Sequence, residues 1–183
     1  MIGGSTISNV STTFPLQSGA TAISPGSVIV TPTSTGLQLG LNVTSTGSQI
    51  QELLVGYNLT APSIIGASLS SVGLSSIGNG AVTITKSICN GAGFPNVGAI
   101  TGCVPAGGTR QDLANFAVGG ITQTTDQATL PGKNTIAVVD DIVVDGGGPA
   151  VGGVTGSATV NGTVTNNFTA SAATVPEPGT MLL

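Results

Sequence analysis

The sequence predicts an all-β protein, a single antiparallel β-sandwich of roughly eight to twelve short strands. Three observations carry this. Apolar and polar residues alternate with a period of two over several runs, which describes half-buried strands. The residues that populate exposed helical faces are nearly missing, since charged residues make up only 5% of the chain, while Thr, Val and Ile abound. The 29 glycines favour many tight turns over long helices. At 183 residues the chain fits one domain. Aromatic residues are 3% of it, with no Trp, so Val, Ile, Leu and Ala must fill the core.

In chain order, residues 1–26 read as a polar lead-in around Val10, Phe14, Leu16 and Ile23, closed by a turn at Ser24, Pro25 and Gly26. The sandwich is expected over 27–169. A short strand, Val28 to Val30, stops at Pro32, which cannot donate to a ladder. Leu37, Leu39, Leu41 and Val43 then share one face, and after a turn at Thr46, Gly47 and Ser48 so do Leu53, Val55, Tyr57 and Leu59. These two runs are expected to pair as a hairpin. Pro62 should end the second, and Ile64 to Leu74 should form another strand with its serines outward. The turn Gly78, Asn79, Gly80 suits a tight hairpin into Ala81–Ile88, where Val82, Ile84 and Ile88 share a face with Lys86. Residues 89–110 read as a long loop, and Thr109 to Ala117 as one or two helical turns with Thr109 as cap and Asp112 three residues on.

Ile136 to Val144 is the most apolar strand. Asp140 shares a face with Ile136, Val138, Ile142 and Val144, and Asp141 with Ala137, Val139 and Val143, so one aspartate points into the core. An unpaired buried carboxylate is costly; either a β-bulge re-aims the chain or a cation stands opposite, for which Lys86 is the candidate. After a turn at Asp145 to Gly148, Ala158 to Phe168 gives the last strand, with Val160, Val164 and Phe168 inward. Residues 170–183 read as a linker and tail.

Charge and cysteines narrow the function. Lys86, Arg110 and Lys133 are the only basic residues against seven acidic ones, a net charge of −4. No cluster exists to release phosphate counterions or to bind an anionic membrane surface, so no nucleic-acid partner is expected. No apolar stretch is long enough to span a bilayer as a helix. Cys89 and Cys103 are the only cysteines. A structural disulfide in an oxidising compartment is the expected reading; its rival, a redox or metal pair, lacks any His and falls short of four zinc ligands.

Val175, Pro176, Glu177, Pro178, Gly179 and Thr180, followed by Met181, Leu182 and Leu183, resemble the opening of the C-terminal sorting tag of PEP-CTERM proteins. Gly80 to Cys89, the second Cys103, and Asp141 to Gly147 are similar to stretches of small exported members of that family. The resemblance implies export by a Gram-negative bacterium, recognition by exosortase-type sorting machinery, and association with exopolysaccharide or biofilm matrix; it assigns no catalytic residue. On this reading both ends are trimmed, because Met1 to Gly4 lacks a leader's charged and apolar regions and the apolar tail is short.

Candidate chemistry is sparse. With no His and seven dispersed carboxylates, an enzyme is not expected. Asp140, Asp141 and Asp145 form a weak calcium site candidate through hard oxygens, in a spacing that matches no calcium loop; no other metal or cofactor is expected. The expectation is an exported, non-enzymatic, cell-surface or extracellular-matrix structural protein. The alternatives are a filament subunit assembled with copies of itself by β-strand exchange, and a glycan- or calcium-binding module.

Overall fold

The computed structural model describes residues 5–12, 16–90, 109–149 and 152–171. The protein is all-β, and the eleven strands among the described residues join into one hydrogen-bonded sheet. They are β1 (Thr6–Ser11), β2 (Thr21–Ala22), β3 (Val28–Pro32), β4 (Gly36–Thr46), β5 (Ile50–Ser71), β6 (Leu74–Ile77), β7 (Ala81–Asn90), β8 (Thr109–Val118), β9 (Ile121–Gln123), β10 (Thr125–Asp145) and β11 (Ser157–Ala170). The one helical element among the described residues is a 3-10 turn at Pro25–Ser27.

Two long strands turn this sheet into two layers. β5 has 22 residues and β10 has 21, and they pair antiparallel along nearly their whole length. Midway the ladder breaks: the register shifts between Thr129 and Lys133 and again before Thr135, opposite Ile64. Pro62 and Pro131 lack the donor a ladder needs, and beside them Ser63 (φ 45°) and Gly132 (φ 76°) adopt left-handed backbone. The side chain of Asn134 closes the corner by accepting from the Ser63 amide at 3.1 Å. Irregularities of this kind bend strands from one layer of a sandwich into another. The second halves of the ribbon, β5 beyond Ile64 and β10 before Thr129, continue into β11, β4 and β3; the other halves continue into β7, β8 and β9.

Alternation fills the space between the layers. Leu53, Val55, Tyr57 and Leu59 of β5, Val82, Ile84 and Ile88 of β7, and Ile136, Val138, Ile142 and Val144 of β10 face Leu37, Leu39, Leu41 and Val43 of β4 and Val160, Val164 and Phe168 of β11 in one buried cluster. Burial of aliphatic side chains at about 1.5–3 kcal/mol each is the main stabilising term.

Several local expectations are corrected. β4 and β5 are consecutive but do not pair; β4 pairs with β3 and β11, so Thr46–Ser48 connects the two layers rather than closing a hairpin. The same holds at Gly78–Gly80: the turn is there, with the Gly80 amide donating to the Ile77 carbonyl, but β6 pairs with β11 and β7 with β8 and β10. Pro62 bends β5 instead of ending it. Residues 109–117 are not helical; β8 is a strand whose Leu113, Asn115 and Ala117 face inward. No bulge re-aims the chain at Asp140 and Asp141, where the register runs unbroken to both neighbours. The polar lead-in supplies β1, antiparallel to β5 at Thr6–Thr60 through Ser11–Gly56, and β2, parallel to β5 at Thr21–Gln51.

Candidate functional site

Two regions concentrate side chains that aliphatic packing does not explain. The first is inside. Lys86 on β7 and Asp140 on β10 are register partners, and both are fully buried. Their faces are fixed by strand periodicity: each lies two residues from Ile84 and Ile142 respectively, which are also inward. From the opposite layer Asn166 of β11, also fully buried, donates from Nδ2 to Asp140 Oδ2 at 2.8 Å. Lys86 Nζ crosses the core to the same layer, where it donates to the Ser68 carbonyl at 3.0 Å and stands 4.0 Å from the Phe168 ring centroid. Tyr57 meets Phe168 edge to face, with centroids 6.4 Å apart.

The electrostatics follow from burial. Removal from water pushes the Lys86 ammonium well below its usual range, and Asp140 beside it offsets part of the shift. Burial likewise pushes the Asp140 carboxyl well above the carboxylate range, against the opposing effects of Lys86 and the Asn166 hydrogen bond. Burial, and then the Asp140 charge, raise the Tyr57 phenol. Asp140 Oδ1, Asn166 Oδ1 and the Tyr57 hydroxyl have no hydrogen-bond partner among the described residues.

Asp141 points to the other side of β10. Burial raises its carboxyl to about 6, helped by the Glu52 charge and a Glu52 hydrogen bond. Glu52 itself fastens the lead-in: its Oε2 accepts from the Gln17 amide at 2.6 Å and its carbonyl from the Ile23 amide at 3.0 Å. It also lines an apolar cleft of about 710 Å³ with Leu16, Ile23, Val28 and Leu54. The calcium candidates are not brought together. Asp140 and Asp141 take opposite faces of the sheet, and Asp145 Oδ1 accepts from the Gly147 amide at 2.8 Å in a turn. No group of three or more metal-ligating side chains occurs among the described residues.

The second region is the outer face of the layer formed by β3, β4, β11, β5 and β10. Along β4, β11, β5 and β10 most apolar residues are buried, so their alternates project outward together, whereas on the edge strand β3 Ile29 and Val30 are themselves exposed. Register places Gln38, Thr165, Ser70 and Thr125 in one row across four strands, and Asn167, Ser68 and Gln127 in the next. No charged side chain stands in these rows. Gln38 Nε2 donates to Thr165 Oγ1 at 3.3 Å, and the hydroxyls of Thr44 and Thr159 meet at 3.1 Å. Where the third row crosses β5, Gly66 sits between Thr169 and Thr129, opening a hollow of about 380 Å³ lined also by Ser68 and Gln127.

Cys89 is fully buried and disulfide-bonded; its expected partner, Cys103, lies outside the described residues, as does the expected sorting motif from Val175 to Thr180. Reading the sequence missed Asn166 and the polar face, and it placed Tyr57 inward without its contact to Phe168. Asn166 carried a usable signal, because it alternates with Val164 and Phe168 just as Lys86 alternates with Ile84 and Ile88.

No protein-family model and no curated relative matches the sequence. The chain is similar to the carbohydrate-binding module TmCBM61, solved with β-1,4-galactotriose, at 6% identity and a TM-score of 0.35, over 93% of this chain and 90% of that one. It is also similar to the enzymatically active domain of tailspike protein 4 of bacteriophage CBA120, at 14% identity and a TM-score of 0.22, over 92% of this chain and 20% of that one. Both likenesses are too distant to assign a function.

Proposed function

We propose that the chain is an exported, non-enzymatic protein of the bacterial cell surface or extracellular matrix, and that it holds neutral exopolysaccharide on the outer face of the β4–β11–β5–β10 layer. The observation that carries this is the face itself. Its rows of hydroxyls and amides both donate and accept hydrogen bonds, as sugar hydroxyls do, and the absence of charge there favours an uncharged polymer over an acidic one. The hollow at Gly66 admits a ring between Thr169 and Thr129. A disulfide at Cys89 accords with an oxidising compartment, and the Val175–Thr180 motif supports delivery by exosortase-type machinery.

Affinity electrophoresis through gels containing neutral or acidic polysaccharides tests the reading. The expected result is retardation by a neutral polymer that is lost in Gly66→Thr, with no retardation by an acidic one. Unchanged mobility in every neutral polymer would overturn it.

Self-assembly by strand exchange is a second reading, and β1 favours it. β1 occupies the edge of β5 while most of its side chains stay exposed, with Ile7 half-buried against the core. A strand held chiefly by its backbone is a natural candidate for exchange with another copy. Sedimentation of the full chain against a version lacking residues 1–12 tests this; a monomer in both cases removes the reading.

A further inference from the structure

We propose that Lys86 and Asn166 become joined by an intramolecular amide bond across the two layers, with Asp140 carrying the proton and ammonia leaving. The inference stands apart from the polysaccharide reading, since it concerns the core and not the surface.

A lysine, an aspartate and an asparagine fully buried in one aliphatic core are costly, and apolar residues of the same volume would usually serve stability as well or better. Oxygens of Asp140, Asn166 and Tyr57 that find no partner among the described residues add to that cost. The cluster is therefore poorly explained as a noncovalent stabilising device. Its arrangement does suit a reaction.

Lys86 Nζ has left its own layer. It is held by the Ser68 carbonyl and the Phe168 ring, and these flank Asn166: Leu69, next to Ser68, is the register partner of Asn166, and Phe168 lies on the same face of β11. Asp140 stands beside Lys86 in the ladder and holds the Asn166 amide at 2.8 Å. β7, β11 and β10 thus bring nucleophile, acyl group and carboxyl into one buried cluster, with Lys86 Nζ at the residues that flank Asn166 and Asp140 on the Asn166 amide. Such positioning replaces the entropy cost of an encounter between separate reactants.

The steps balance without a cofactor. Neutral Lys86 Nζ attacks Asn166 Cγ and forms a new C–N bond. Half a turn of the amide about its Cβ–Cγ bond exchanges oxygen and nitrogen at Asp140, so a protonated Asp140 donates to the oxygen on which charge develops. The carboxylate then takes a proton from the attacking nitrogen and passes it to the departing one, the Cγ–Nδ2 bond breaks, ammonia leaves, and the oxygen returns its proton to Asp140 as the C=O re-forms. Burial supports the required states, because it favours the uncharged amine and the protonated carboxyl. It also excludes the water that would compete as nucleophile.

Intact mass of the purified full chain, measured after reduction and denaturation, tests the proposal. The expected mass is lower than that of the sequence by one ammonia, and proteolysis yields a branched peptide joining the segments that carry Lys86 and Asn166. Lys86→Met and Asp140→Asn should both show the full sequence mass. Three outcomes overturn the proposal: full mass in the unsubstituted protein, loss of one water with a Lys86–Asp140 link, or ammonia loss that persists in Lys86→Met. The unsubstituted protein decides the matter even if a variant fails to fold.

Discussion

Asn166 Nδ2 lies 2.8 Å from Asp140 Oδ2 across the middle of the sandwich, a polar contact between layers packed largely with aliphatic side chains. Because Asp140 is also the register partner of Lys86, changes at any of these positions should not add independently. In a double-mutant cycle, Asn166→Leu combined with Asp140→Leu should destabilise less than the sum of the single variants, with a coupling of about 1–3 kcal/mol measured by denaturant unfolding. Strict additivity would show that the contact carries no energy.

Tyr57→Phe removes a buried hydroxyl that has no partner among the described residues and keeps the edge-to-face contact with Phe168. Deleting an unsatisfied polar atom at constant shape is close to neutral or stabilising, so the melting temperature should hold or rise. A clear fall would mean that the hydroxyl has a partner in solution.

Asn115 joins the layers at a second point. Its Nδ2 donates to Ser71 Oγ at 2.9 Å and to the Thr124 carbonyl at 3.0 Å. Asn115→Ala leaves both acceptors without this donor, a loss of about 1–3 kcal/mol, which chemical denaturation would register as a lower midpoint with an unchanged slope.

Asp141 gives the protein a signed pH dependence. Its carboxyl is raised from 3.8 to about 6 in the folded state, so the native protein holds this proton more tightly than the unfolded chain. Its stability contribution is therefore present below the unfolded value and is lost as pH rises through about 6. The melting temperature should fall from pH 4 towards pH 7 by an amount that Asp141→Asn reduces. A slope unaffected by the substitution would place the titration elsewhere.

Gly66→Thr tests the outer face without disturbing the core. A Cβ there would meet Thr169 Cβ at 3.5 Å and the Ala128 carbonyl oxygen at 3.7 Å, both ordinary contact distances, and Thr suits a strand. The variant should keep its melting temperature within a few degrees while losing retention by neutral polysaccharide.

Strand periodicity made Lys86 and Asp140 legible, because both interrupt an apolar alternation in runs with no competing signal. Asn166 interrupts one too, yet uncharged polar residues are so common in β11 that it did not stand out. Pairing was less legible than strands. β4 and β5 look like hairpin arms because each alternates and a turn separates them, but local pattern does not say whether such a turn stays within a layer or crosses between layers. Pro62 was read as a stop because it cannot donate; with Pro131 near it on β10, the same property makes a corner instead. In β8 the pair Thr109 and Asp112 resembled a helix cap, while the inward alternation of Leu113, Asn115 and Ala117 prevailed. The polar face needed the register of four strands, which no single stretch encodes.

The corner has a mechanical consequence. The chain enters β1 at Thr6, opposite Thr60, and reaches the end of β11 at Ala170, opposite Ile64, so both terminal strands begin or end beside the bend in β5. Tension applied to the chain beyond β11 therefore reaches that strand at one end and unzips its hydrogen bonds in turn, a weaker geometry than shearing them all together. Asn166 lies only a short way inside that end. A covalent bond from Asn166 to Lys86 would stop the unzipping after its first few pairs and pass the load to β7, in the middle of the other layer.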